Sequence, residues 1–336
     1  MTSSPPIVIV GAGVLGLCTA FELQRRGHAV RVVDPGGPNA SLVAAGMIAP
    51  AMESAIDAVS VAHARLFRAG RGLWPAFAEA AGVKLSARPS EWRGGDMDAI
   101  ASRLAALGFE ARLEAGRLVT DEDLQVEPMQ AMGALSAHLG DAVIPGRVIG
   151  MAQEGDGWMV RLEDESLQAS AVVLATGAAA AIEGSPPAAS ALVQAIQPIR
   201  GQIGVVGRAL AAHVVRGPGA YVAPMGEGAV IGATMEPGRR DTAPDPAAGE
   251  RLMEAAWRVL GGAPEPLEIQ WRGGVRGASP DGLPLAGPAP DGERLFLALA
   301  PRRNGWLLGP LVGAVVADAI EGRTSTYARA LDPGRF

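Results

Sequence analysis

Three glycines and one aspartate carry the first chemistry this chain offers. Gly11, Gly13 and Gly16 stand at the spacing GxGxxG, and Asp34 follows further along the same stretch. In that spacing the first glycine suits a tight turn, the second lets backbone approach a pyrophosphate, and the third lets a helix pack closely. A helix amino end adds unsatisfied N–H groups and partial positive charge, and an acid roughly 20 residues on suits a ribose hydroxyl. The spacing alone is also found in plain turns. Its surroundings make it specific: Ile7 to Val10 is an apolar run suited to a buried strand, Val14, Leu17, Cys18 and Phe21 recur at helical spacing, and Gly27 suits a helix stop. Ala29 to Val33 then rebuild a strand ending on Asp34. The unit reads as β-α-β and fits the adenosine half of a dinucleotide.

Few other reactive side chains are available. Cys18 is the only cysteine and its spacing puts it on the buried side of the first helix, which removes disulfide, CxxC and thiolate-zinc chemistry. Lys84 is the only lysine, so a Schiff-base mechanism would rest on one loop residue. His28, His63, His138 and His213 are scattered without ligand spacing, and no metal is expected. The net charge of -6 and the lack of a basic run argue against a nucleic-acid partner. The polar start and the shortness of every apolar run give no sign of a signal peptide or a membrane span, so a cytoplasmic location is expected.

With 336 residues the chain is long enough for about two domains. After Asp34 a turn-rich PGGPNA leads to Ser41–Pro50, where Ala44, Ala45 and Gly46 would let backbone approach something flat or another helix closely. A helix is expected from His63 to Ala81, which Pro75 would kink or split. Further helices are expected at Ala99 to Leu107 and Met129 to Leu139, with a strand near Arg117 to Val119. Strands follow at Val143 to Ile144, Val148 to Gln153, Trp158 to Leu162 and Ala171 to Ala175, the last running into Thr176-Gly177. Ala178 to Pro198, rich in alanine and proline, reads as a crossover. Strands at Gln202 to Val206, Ala220 to Pro224, Ala229 to Thr234 and Leu267 to Trp271, with a helix near Arg251 to Leu260, suggest a mostly antiparallel second sheet. Leu295 to Ala300 reads as a strand and Trp306 to Ile320 as a buried helix.

Several of these stretches together resemble the flavin-dependent amine oxidases that include D-amino-acid oxidase, sarcosine oxidase and glycine oxidase. They are GAGVLG, AAGMIAP, LATG, PIRGQ, YVAP, GATMEPG, PDGLPLAG and RRNGWLLGP, in the family's order over nearly the whole chain. AAGMIAP, PIRGQ and GATMEPG together are similar to the glycine oxidase of thiamine biosynthesis. The fold implied is α/β plus α+β: a Rossmann-like FAD-binding domain from 1–85, 140–180 and 272–336, and a mostly antiparallel substrate domain from 86–139 and 181–271. The cofactor implied is FAD. No cysteine stands near the carboxyl end, where some relatives attach it covalently, so a non-covalent flavin is expected.

The resemblance also implies roles. Arg276 would grip a substrate carboxylate with its planar fork, and Tyr221 would add a hydroxyl to the same group. Met235 would line a small pocket and Arg303 would lie beside it, with Arg302 competing for that place. The flavin would be held by Gly11, Gly13, Val14, Leu15, Gly16 and Asp34, by Ser41, Ala44, Ala45, Gly46 and Met47, by Val148, Thr176 and Gly177, and by Arg276, Arg303, Asn304, Gly305, Trp306 and Leu307. Taken singly, each of the four substrate residues also reads as surface or core filler. Two departures stand out: Gly277 where the family has proline, expected to loosen a loop, and Ala300-Pro301-Arg302 where it has Gly-His.

The reaction implied is oxidative deamination of glycine or another small amino acid by O2, with no side-chain base, the cofactor taking the electrons while the protein orients the substrate. An oxidase for sarcosine or a D-amino acid, a quinone-linked D-amino-acid dehydrogenase, and an FAD-binding module without turnover all remain open. So does homo-oligomerisation.

Overall fold

A computed structural model of the chain describes residues 4–37, 39–262 and 266–336. Met1 to Ser3 of the polar start and Pro38 of the PGGPNA turn lie outside the described residues. Two compact units are present. One comprises Met1–Asn39, Met132–Pro198 and Arg276–Phe336, the other Ala40–Ala131 and Ile199–Val275.

The first unit is built on a six-stranded sheet. Strand β1 (Ile7–Val10) lies at its middle, buried along its whole length, and pairs in parallel with β2 (Val30–Asp34) on one side and with Ala171–Leu174 on the other. Val143–Pro145 extends the sheet beyond β2, and Leu295–Leu299 extends it beyond Ala171–Leu174, both parallel. Only the edge strand Leu285–Pro288 runs antiparallel. Ile7–Val10, Ala171–Leu174 and Leu295–Leu299 are buried along their length and read as unbroken apolar runs, which is why they were visible in the sequence, whereas Leu285–Pro288 was not. Helix α1 (Val14–Arg25) packs beside the helix Gly305–Ile320. Contact is close because Gly309 and Gly313 face Cys18: a Cβ on Gly309 would come within 2.9 Å of its Sγ, and one on Gly313 within 2.8 Å of its carbonyl oxygen. Cys18 is wholly buried there, and burial pushes its thiol pKa far up. Arg26 ties the two helices by hydrogen bonds to Glu22, Asp318 and Glu321.

Beside this sheet the hairpin Val148–Glu154 and Gly157–Leu162 forms, with Ser166–Ala169, a three-stranded antiparallel sheet. The expected crossover Ala178 to Pro198 contains a helix, Pro187–Ala195, and its Ala189, Val193 and Ile196 join the core of Val8, Val10 and Leu174.

The second unit holds a nine-stranded sheet, in which Gln197–Val206, Ala220–Met225, Gly228–Gly232 and their short neighbours pair antiparallel and Ser90–Trp92 pairs in parallel with Val214–Gly217. Gln197–Val206, Ala220–Met225 and Gly228–Gly232 are its longer members, with Ile269–Ala278 paired to the first of these. Helix Pro246–Leu260 packs on this sheet, capped by Asp245, whose Oδ1 accepts from the N–H groups of Ala247 and Ala248. Val61–Ala81 is one helix with Pro75 inside it, capped by Ser60 and closed by Gly82 at φ +67°. Residues 40–85, expected with the nucleotide domain, pack into the second unit, because Met47–Ile48 pairs with Leu124–Val126 and helix Pro50–Ile56 lies against Val61–Ala81. Residues 181–198, expected with the substrate domain, pack into the first unit through the helix Pro187–Ala195.

Candidate active site

In the first unit four backbone segments converge at the carboxyl end of the parallel sheet. Gly11, at φ +110°, adopts a conformation that L side chains avoid, and a Cβ there would lie 2.5 Å from the carbonyl oxygen of Ala175. A Cβ on Gly16 would lie 1.9 Å from the carbonyl oxygen of Gly11, so only glycine lets the helix start so close to the loop. Gly13 precedes α1 in an extended conformation and accepts the first intrahelical bond, from Leu17. Ala175 N–H donates to Val10, and Thr176-Gly177 follows with Gly177 at φ +66°.

Gly277 stands next in this ring. It is a buried strand residue rather than a loosened loop, because a Cβ there would meet Ile196 at 2.8 Å and the Gly177 carbonyl at 3.3 Å. Its carbonyl accepts from Arg302 N–H at 2.8 Å, and Ala278 bridges to Pro301. That places the backbone of Arg276 beside the segment Arg302-Arg303-Asn304, with both arginines half-buried. The turn is held by Ala300 at φ +57° and Arg302 at φ +49°, left-handed positions without glycine. Helix Gly305–Ile320 then starts, with Asn304, Trp306 and Leu307 buried and Gly305 close to Val14. Val148 stands opposite Leu162 in the three-stranded sheet and packs against the core cluster of Val10, Val33 and Leu174.

Asp34 closes the glycine loop from below. Its Oδ2 accepts from Ala12 N–H at 2.6 Å and its Oδ1 from Gly36 N–H at 2.7 Å. A carboxylate has about four acceptor positions, so both oxygens keep capacity for a ribose hydroxyl. The residues present fit the nucleotide half of FAD: a loop that excludes side chains, a helix start with unsatisfied N–H groups, and an acid at the strand end.

The second unit gathers the other motifs. Gly46, at φ +65°, lies against the Val126 carbonyl, which a Cβ would approach to 1.9 Å. The small residues of this segment therefore serve a close approach to the strand Leu124–Val126. Gln125 Nε2 donates to the carbonyls of both Ala45 and Pro224, joining AAGMIAP to YVAP. Met47 and Tyr221 pack against one apolar cluster containing Val43, Ala45 and Ala223, and Tyr221 stands opposite Gly232, where a Cβ would collide with its ring. Ser41 and Ala44 are half-buried, and Met235 is exposed beyond the end of its strand. Of the four expected substrate residues, Arg276 and Arg303 belong to the first unit and Tyr221 and Met235 to the second.

Three buried polar groupings escaped the sequence reading. Arg200, of PIRGQ, is 1% exposed and forks onto Glu236 while bonding Asp241 at 2.7 Å and the Ala243 carbonyl. It clamps the loop that follows Met235. Arg216, Glu53 and Asp123 form a second grouping, in which burial pushes the Asp123 carboxyl up to about 7 against the pull of Arg216. Glu91, buried, pairs with Arg93, Arg117 and His213; burial opposes its charge, but the His213 and Arg93 bonds prevail and hold its carboxyl below the usual range. Isolated arginines and acids give no periodic signal, so sequence spacing could not reveal these partners.

Among the described residues no helix is long and apolar enough to cross a membrane. A model of the family FAD dependent oxidoreductase (DAO) matches residues 6–319. Glycine oxidase of Geobacillus kaustophilus is 30% identical, with 97% of this chain and 96% of that protein covered. The tRNA 5-methylaminomethyl-2-thiouridine biosynthesis bifunctional protein MnmC of a Caulobacter species is 29% identical over 100% of this chain and 59% of its own length. The crystal structure of the Geobacillus kaustophilus glycine oxidase superposes with a TM-score of 0.85 at 26% identity, covering 100% of both chains. With the nucleotide cradle at the sheet's end, these matches make the chain a member of the FAD dependent oxidoreductase family, of glycine oxidase and D-amino-acid oxidase type, with FAD as its cofactor.

Proposed function

We propose that this protein oxidises glycine or another small amino acid to the imine, which water converts to a 2-oxo acid and ammonia, with O2 as final acceptor. Bound FAD supplies the two-electron acceptor. The observation that carries this reading is the ring in the first unit, where the Gly277–Arg302 hydrogen bond sets the backbone of Arg276 next to Arg302 and Arg303 at the end of the nucleotide-binding sheet. A guanidinium there pairs bidentately with an amino-acid carboxylate, which fixes the α-carbon and leaves the amine free to lose its proton. Tyr221 contributes a hydroxyl donor and Met235 apolar lining. The start of the helix Gly305–Ile320 favours negative charge on the group it faces. FAD is held without a covalent bond, and the imine formed from glycine serves as the thiazole precursor of thiamine.

The test is anaerobic mixing with glycine, sarcosine, D-alanine and D-proline. Glycine is expected to bleach the flavin fastest, and air to restore its colour within seconds. A flavin that stays yellow with the whole panel would overturn the reading. Bleaching that air fails to reverse would reject O2 as acceptor.

A second reading is supported by the match of this whole chain to 59% of MnmC: an oxidoreductase acting on a modified base in tRNA. The net charge of -6 weighs against it. Retarded tRNA migration at physiological salt, with no bleaching by free amino acids, would favour this second reading.

A further inference from the structure

Within the second unit a charged grouping lies directly beneath Met47. Arg216, on the strand Val214–Gly217, is 4% exposed; Glu53, on the helix Pro50–Ile56, is 6% exposed; Asp123, just ahead of Leu124–Val126, is fully buried. Arg216 Nη1 donates to Glu53 Oε1 at 2.7 Å, and its Nη2 lies 2.9 Å from Met47 Sδ. Asp123 Oδ1 accepts from Ala51 N–H at 3.0 Å, which anchors the helix carrying Glu53. Arg216 Nε and Asp123 Oδ2 meet no hydrogen-bond partner among the described residues.

Stability alone does not account for this arrangement. A buried ion pair is frequently no more stabilising than apolar side chains of the same volume, so its presence here is weak evidence of a demand for stability. The guanidinium also spends a donor on a thioether, one of the weakest acceptors in proteins, which contributes little energy but fixes direction. Methionine has three flexible torsions, and it is the sulfur whose place is set. Met47 belongs to Ala44–Met47, whose backbone is already held by Gln125 and pressed onto Val126. The one freedom left in that segment is the Met47 side chain, and Arg216 removes it.

We infer that Arg216, charge-balanced by Glu53, is a positioning residue for the flavin: through its Nη2 contact it holds the Met47 thioether, and with it the segment Ala44–Met47, in the shape that receives the cofactor. The inference rests on the reading that this segment touches FAD. A lysine at 216 would keep the charge near Glu53, but a single ammonium on a flexible stem cannot serve Glu53 and Met47 together in fork geometry.

The experiment is a double-mutant cycle on the holoenzyme with Arg216→Lys, Met47→Leu and both together, reading the FAD dissociation constant, the flavin visible spectrum and thermal unfolding of the apoprotein. Each single variant is expected to weaken FAD by about tenfold and to shift the visible band in the same direction, with the double variant no worse than either single. Multiplied losses in the double variant would overturn the proposal, as would an Arg216→Lys protein with lowered thermal stability but native FAD affinity and spectrum. If Arg216→Lys does not fold, the charge-free pair Glu53→Gln with Arg216→Met replaces it in the same cycle. Wild-type protein that binds FAD while Met47→Leu changes neither affinity nor spectrum would sink this inference and leave the family assignment standing. Wild-type protein that takes up no FAD would sink both.

Discussion

Arg276 and its neighbour Gly277 divide a chemical demand from a steric one. Replacing Arg276 by leucine removes a charge-assisted pair of hydrogen bonds to the substrate, and the Michaelis constant for glycine is expected to rise by about 100-fold, measured by steady-state oxygen uptake. An unchanged constant with persisting turnover would remove Arg276 from the carboxylate site. Gly277→Ala adds a methyl 2.8 Å from Ile196, and overpacking of this kind costs about 1–3 kcal/mol in thermal unfolding. Shortening the opposing side chain in the pair Ile196→Ala with Gly277→Ala is expected to recover part of that loss. The sequence identified Gly277 as a departure but not its meaning. The chain near Ile196 read as a crossover, and only the fold brings that side chain against the strand where the family has proline. The close backbone approaches at Gly11 and Gly16 and the place of Asp34 at the strand end were legible, because local spacing decides them.

At the level of elements, two close contacts govern the scaffold. The α1 helix and Gly305–Ile320 touch through glycines, so Gly313→Val would force a side chain onto the Cys18 carbonyl and is expected to cost about 2–3 kcal/mol. Arg200 holds the segment after Met235 through Glu236 and Asp241. Arg200→Met is expected to cost about 2 kcal/mol, below the usual loss for a broken buried pair because its carboxylate partners reach solvent. The same variant is expected to speed hydrogen exchange across residues 234–245. Unbroken apolar runs and helical repeats were found to within a few residues: β1, α1, Gly305–Ile320 and the central strands of both sheets. The short strands Ser90–Trp92, Arg112–Glu114 and Val214–Gly217 were not. Three or four residues carry too few alternations to show a period, and their pairing is decided by partners far away in the chain.

Over the whole molecule, pH acts in two windows of opposite sign. Asp123 has its folded pKa raised to about 7, with Arg216 and Glu53 as the charged groups around it. The folded chain therefore keeps a proton that the unfolded chain releases above about 4, and this contribution to stability declines as pH rises from about 4 to about 7. Asp123→Asn is expected to flatten chemical-denaturation midpoints across that window, and an unchanged slope would reject a protonated Asp123. Asp281 behaves oppositely. Burial opposes its charge, but Arg335, Ser279 and the Leu283 N–H prevail and hold its carboxyl low, so its contribution is present above about 4 and is lost on further acidification.

The sealed contact between α1 and Gly305–Ile320 has a practical consequence, because it encloses the chain's only sulfhydryl. A maleimide or a disulfide reagent meets no target on the native surface, and modification proceeds only when the helix pair parts. The rate of alkylation thus records how often that interface breathes, without any engineered probe. Cysteines introduced elsewhere for spectroscopic labels would need no removal of the natural one.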